Sequence, residues 1–129
     1  MVLIVDSHAL IWYLQGSSRL SERALEALRD EENLLVIPTI VLAEVRHLAS
    51  KSRIDVSYED VFGAVRSDPR IVIDPLTEEV VSAFPLDLDL HDAIICGSAI
   101  VWKSNHHEEV EVVTADRRIG NSGAVLARW

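Results

Sequence analysis

Short runs of β-branched and Leu residues alternate along this chain with stretches of helical spacing, and that alternation constrains the fold more than anything else in the sequence. Residues 2–5, VLIV, carry no polar side chain and read as a strand buried on both faces. LLVIP, residues 34–38, repeats the pattern. RIVIDPL supplies a third strand closed by Pro75, residues 109–113 a fourth, and AVLARW a short last strand. Helical spacing fills the intervals. It is expected over residues 8–15, stopping near Gly16, and over 22–30 behind a Ser21 cap. A helix over 39–51 follows Pro38, which is tolerated because the first turn has no N–H partner to lose. Ser57 with Asp60 resembles a capping box for a helix reaching about residue 66. Thr77 caps a short helix that Pro85 ends, and Asp89 is expected to cap the longer LDLHDAIICGSAIVWK helix. Strands and helices in this order predict a three-layer α/β/α domain around a central, mostly parallel sheet.

At 129 residues the chain fits one domain, 1–129, with no linker, repeat or low-complexity segment inside it. No apolar run approaches the ~20 residues that span a bilayer, so no membrane association is expected. The N-terminus has neither a basic region nor a small-residue cleavage site, so no signal peptide is expected either. Cys96 is the only cysteine, which excludes an internal disulfide and leaves no zinc ligand set. A cytoplasmic location follows by default. With 21 acids against 12 Lys and Arg the net charge is −9, which argues against broad, nonspecific nucleic-acid binding. The same charge fits a metal-binding protein or one with a basic partner.

In open parallel sheets ligands collect at the carboxyl ends of the strands. Asp6 follows the first strand directly, and Asp116 leaves the fourth through Thr114 and Ala115. Each alone reads equally as a helix cap or a turn acid. Glu44 lies in IVLAEVRHLA among apolar neighbours, where Arg46 and His47 are candidate ion-pair partners. Asp92, in the first turn of its helix, is favoured there by the helix dipole alone, yet the apolar AIICGSAI follows it. The joint pattern is harder to account for without function. Two like charges ~4 Å apart repel by about 4 kcal/mol at an effective dielectric near 20. Converging carboxylates therefore need a cation or shifted pKa values. Oxygen-only ligands favour Mg²⁺ or Mn²⁺ over zinc, and such ions commonly act on phosphates.

Four stretches, VDSHALIWYL (5–14), PTIVLAEV (38–45), HDAIICGSA (91–99) and VVTADRRI (112–119), resemble the PIN-domain nucleases. The likeness is closest to the VapC toxins of toxin–antitoxin pairs, and it covers nearly the whole chain. It implies a Mg²⁺-dependent endoribonuclease that leaves a 5′-phosphate, with Mn²⁺ as the possible substitute. Asp6, Glu44, Asp92 and Asp116 map onto the family's acidic, metal-holding and catalytic cluster. Ser7 and Thr114 match positions that orient a carboxylate or water. The partners implied are RNA and a small antitoxin with a basic C-terminal segment, in a homodimer that becomes a heterotetramer or larger assembly with it. A PIN nuclease that processes RNA without an antitoxin, and a catalytically inactive scaffold, are the competing readings.

Other residues are assigned on chemistry alone. Arg46, Lys51, Arg53, Arg117 and Arg118 are available for local phosphate contacts. His8 and His91 each stand near an acid, fit either for general-base work or for a hydrogen bond that fixes a helix. His106 and His107 look like loop residues, and Asn121 fits a turn with Gly120 and Gly123. Cys96 and Gly97 read as packing residues, and Trp12 and Tyr13 as core or dimer contacts rather than surfaces for stacking RNA.

Overall fold

The computed structural model describes residues 1–129. Five strands alternate with seven helices: β1 (Val2–Val5), α1 (Ser7–Gln15), α2 (Glu22–Arg29), β2 (Leu34–Pro38), α3 (Thr39–Ser50) and α4 (Tyr58–Ser67) come first. β3 (Ile71–Asp74), α5 (Glu78–Ala83), α6 (Leu90–His106), β4 (Val110–Val113), α7 (Arg117–Asn121) and β5 (Leu126–Arg128) complete the chain. The strand order is β3-β2-β1-β4-β5, and every neighbouring pair is parallel.

The burial of each strand matches its place in the sheet. β1 is central, and all four of its residues are buried. β3 and β5 are edges and keep exposed positions. The strand order takes the chain outward from β1 through β2 to β3 and then back past β1 to β4 and β5. The right-handed crossovers usual for parallel strands place the two halves' helices on opposite faces. In keeping with that path, α1, α3 and α4 touch one another, α5 packs on α6, and α6 lies against β4. The result is a three-layer α/β/α domain. The strand order reverses between β1 and β4, where Val5 pairs with Val113. No helix is long and apolar enough to cross a membrane.

Local chemistry explains most helix ends. The Ser21, Ser57 and Thr77 hydroxyls accept from the N–H of Ala24, Asp60 and Val80, satisfying donors that the first turn leaves free. Gly16 closes α1 at φ 63°, a left-handed conformation glycine adopts without a Cβ penalty. Asp89 differs from expectation: it holds the N-cap position of α6 but makes no capping hydrogen bond. Its carboxylate is drawn instead to Arg118. The segment read as a turn around Gly120 and Asn121 is the one-turn helix α7, started by Asp116, whose side chain accepts from the N–H of Arg118.

Candidate active site

The site starts at the reversal point of the sheet. Asp6 is the first residue after β1, and its N–H donates to the carbonyl of Val113 at 3.1 Å, which ties it to the end of β4. One carboxylate oxygen accepts from the Ser7 N–H as the cap of α1. The other accepts from the hydroxyl of Thr114, itself buried, at 2.6 Å. The same hydroxyl accepts from the Asp116 N–H at 3.0 Å. Thr114 therefore couples the two acids at the ends of the adjacent strands and fixes how Asp6 points. Burial pushes the Asp6 carboxyl above its ordinary pKa, against the hydrogen bonds from Thr114 and Ser7.

The other two acids arrive from helices. Glu44 comes from the middle of α3, and Asp92 from the first turn of α6. Asp6, Glu44, Asp92 and Asp116 all line one cavity of about 550 Å³. Asp92 is raised by burial and then by the charges of Asp116 and Asp6, which it faces across that cavity. Asp116 moves the other way, because Arg118 is hydrogen-bonded to it.

Part of the negative charge is met from within the chain. The Arg118 guanidinium lies 3.0 Å from Asp116, 3.0 Å from Asp89 and 3.8 Å from Asp92. Glu44 is paired with Nδ1 of His91 at 2.6 Å, not with Arg46 or His47 as the sequence suggested. Their hydrogen bond lowers the Glu44 pKa and raises that of His91. Of the two histidines read near acids, His91 thus links α6 to α3, while His8 is exposed at the cavity wall. As the side chains stand, no three Asp, Glu, His or Cys groups are spaced to hold one ion. The donors are nevertheless hard carboxylate oxygens, and Ser7 Oγ, buried close to Glu44, meets no partner in full hydrogen-bond geometry.

Arg117 and Arg118 line the cavity, whereas Arg46 lies over the Tyr58 ring beside a different hollow, and neither Lys51 nor Arg53 reaches the site. Four lining residues were not anticipated at the site: Trp12, Asp89, Ile95 and Ala115. Trp12 follows His8 by one helical turn, so the spacing alone put both on one face of α1. Cys96 and Gly97 are buried packing residues of α6, as expected.

A family model for the PIN domain matches residues 3–123. Among solved structures, VapBC2 from Rickettsia felis, crystallised bound to a DNA fragment from their promoter, is similar with a TM-score of 0.70 and 16% sequence identity. That match covers 98% of this chain and 97% of the other. The PIN domain endonuclease Utp24 is similar with a TM-score of 0.52 and 18% identity, over 92% of this chain and 73% of its own. No curated protein matches in sequence. At these identities the structural matches speak for a shared fold.

Proposed function

The chain belongs to the PIN domain family, and from that premise we propose that it is a divalent-metal-dependent endoribonuclease acting as the toxin of a type II toxin–antitoxin pair. One observation carries the reading. Four carboxylates from two strand ends and two helices face a single cavity at the reversal point of the sheet. Apposed acids without catalytic use would cost stability, since like charges repel and burial opposes ionisation.

Asp6, Glu44, Asp92 and Asp116 are the residues that would hold Mg²⁺ or Mn²⁺. Their oxygen chemistry fits; as the side chains stand, Arg118 holds Asp116 and lies near Asp92, and His91 holds Glu44. When bound, such an ion supplies positive charge to phosphoryl oxygens and makes water a stronger acid. The chain's own part is positional. Thr114 holds Asp6 in one orientation. Arg117 and Arg118 border the cavity and can meet a phosphate there.

The toxin role draws on the likeness to VapBC2. An acid-lined cavity also suits a basic segment of a small antitoxin, by charge complementarity. A homodimer, enlarged to a heterotetramer or more with antitoxin, belongs to this reading. The likeness to Utp24 favours a second one, an RNA-processing nuclease without antitoxin. Copurification of a short basic-tailed protein encoded next to the gene separates the two.

The decisive experiment maps RNA ends in cells after induced expression. New 5′-phosphate ends should accumulate with the wild-type chain and vanish with Asp6→Asn or Asp92→Asn, while circular dichroism of both variants stays native. Undiminished cleavage by either variant would remove the acids from the mechanism. No cleavage of any RNA with Mg²⁺ or Mn²⁺ present would leave only a binding scaffold.

A further inference from the structure

We infer that the His8–Trp12 face of α1 is a nucleobase subsite, which receives an unpaired base next to the phosphate held at the acids. The inference rests on the ribonuclease reading and names a part of the substrate that the acids do not touch. His8 and Trp12 both line the acidic cavity, so Trp12, expected only as a core or dimer contact, borders the site as well. They lie one turn apart on α1, with ring centroids 5.5 Å apart and planes inclined at 50°. The His8 side chain is exposed and inclined, so it borders the indole without lying flat on it. Behind Trp12 stands Trp129 at the end of the chain, 5.7 Å away and inclined at 58°. Trp12 is half-buried and packed on the core. That support holds the indole in place, which is what a stacking surface needs.

Chemistry favours a base as the occupant. The cavity combines two contrasting linings, carboxylates with two arginines and an aromatic pair with Ile95. A nucleotide has the same two halves, an ionic phosphate and a flat, weakly polar ring. Its volume of about 550 Å³ is ample for one nucleotide. Asp6 caps the helix whose second residue is His8, so the aromatic face begins beside the acid at the end of β1. Stacking is indifferent to base identity, which suits a chain with no motif for reading sequence. It also demands an unpaired base, because a base inside a duplex has no free face.

The test uses an eight-nucleotide single-stranded RNA, a copy with one abasic position, and the full chain with its variants. Binding is read by fluorescence anisotropy with Ca²⁺ in place of Mg²⁺, and cleavage separately with Mg²⁺. Trp12→Leu should weaken binding of the intact RNA by about 5- to 150-fold, the range for loss of one stacked base. Trp12→Phe, which keeps a ring, should stay within a few-fold of wild type. The abasic RNA should bind wild type weakly and lose nothing further in Trp12→Leu. Equal binding of intact RNA by Trp12→Leu and wild type, or an equal loss on both RNAs, overturns the subsite. RNA that is cut normally by Trp12→Leu sinks the subsite and leaves the ribonuclease reading intact. Trp12-dependent binding without any cleavage does the reverse. Loss of binding to an arginine-rich peptide, with RNA binding unchanged, would reassign the aromatic face to a protein partner and overturn the proposal.

Discussion

Arg118 is the residue whose position changes most in meaning between sequence and structure. Read along the chain, it was one of several arginines free to meet a phosphate. In space its guanidinium already pairs with Asp116 and Asp89 and lies 3.8 Å from Asp92. A divalent ion reaching Asp92 and Asp116 must therefore compete with a cation the protein carries itself. Exposed ion pairs of this kind are weak and salt-sensitive, so the competition is modest. Arg118→Ala should tighten Mn²⁺ binding about two- to fivefold by isothermal titration calorimetry, and Arg118→Lys should fall between it and wild type. Weaker binding in Arg118→Ala would mean that the arginine supports the acids rather than competing for them. His91 plays the matching part for Glu44. The Arg118–Asp116 pair is local, two residues apart. The reach of Arg118 to Asp89 and Asp92 and the His91–Glu44 pair join different elements, and the sequence offered nearer partners for Glu44 in Arg46 and His47.

Among the elements, α6 most clearly shows local sequence answering a packing demand. A Cβ built on Gly97 would stand 2.8 Å from the Phe84 Cβ and 2.9 Å from the Val80 carbonyl oxygen. The absence of a side chain there lets α5 and the chain leaving it lie directly on α6, the helix that delivers Asp92. Gly63, in the middle of α4, meets nothing within 4 Å. The two positions should respond oppositely to the same substitution. Gly97→Ala should cost about 1–3 kcal/mol through overpacking against backbone. Gly63→Ala should gain roughly 0.4–1 kcal/mol by reducing the freedom of the unfolded chain. Urea denaturation of both variants measures the difference, and a loss at Gly63 would contradict the open surroundings assigned to it. The elements themselves were largely legible because their signals are local: two-sided apolar runs for β1 and β2, a Val-rich run interrupted by Glu111 for β4, and side-chain caps for α2, α4 and α5. Where a long-range partner captured the side chain, local reading failed. Asp89 fits a cap by residue type, but Arg118 takes its carboxylate. α7 escaped notice because RRIGN carries turn-forming Gly and Asn and is only five residues long.

At the level of the whole molecule, the charge of −9 and the acid-lined cavity are two contributions to one electrostatic strain. A surface rich in acids repels itself and favours expansion, and salt of any kind relieves that by screening. The cavity differs because its carboxylates are partly removed from water and Asp92 feels the charges of Asp116 and Asp6. Relief beyond what Arg118 gives requires a cation small enough to enter. Ligand binding to the folded state alone stabilises by about 2.7 kcal/mol at a hundred times the dissociation constant. For a domain of this size that is a rise in Tm on the order of 10 °C. Mg²⁺ or Mn²⁺ should therefore raise Tm well beyond NaCl of equal ionic strength, and EDTA should reverse the gain. Asp92→Asn lessens the repulsion and removes a ligand, so its metal-free Tm should equal or exceed that of wild type while most of the metal-dependent rise disappears. If the divalent ion stabilised Asp92→Asn as much as wild type, it would be acting on the surface at large, and the cavity would lose its claim to the ion.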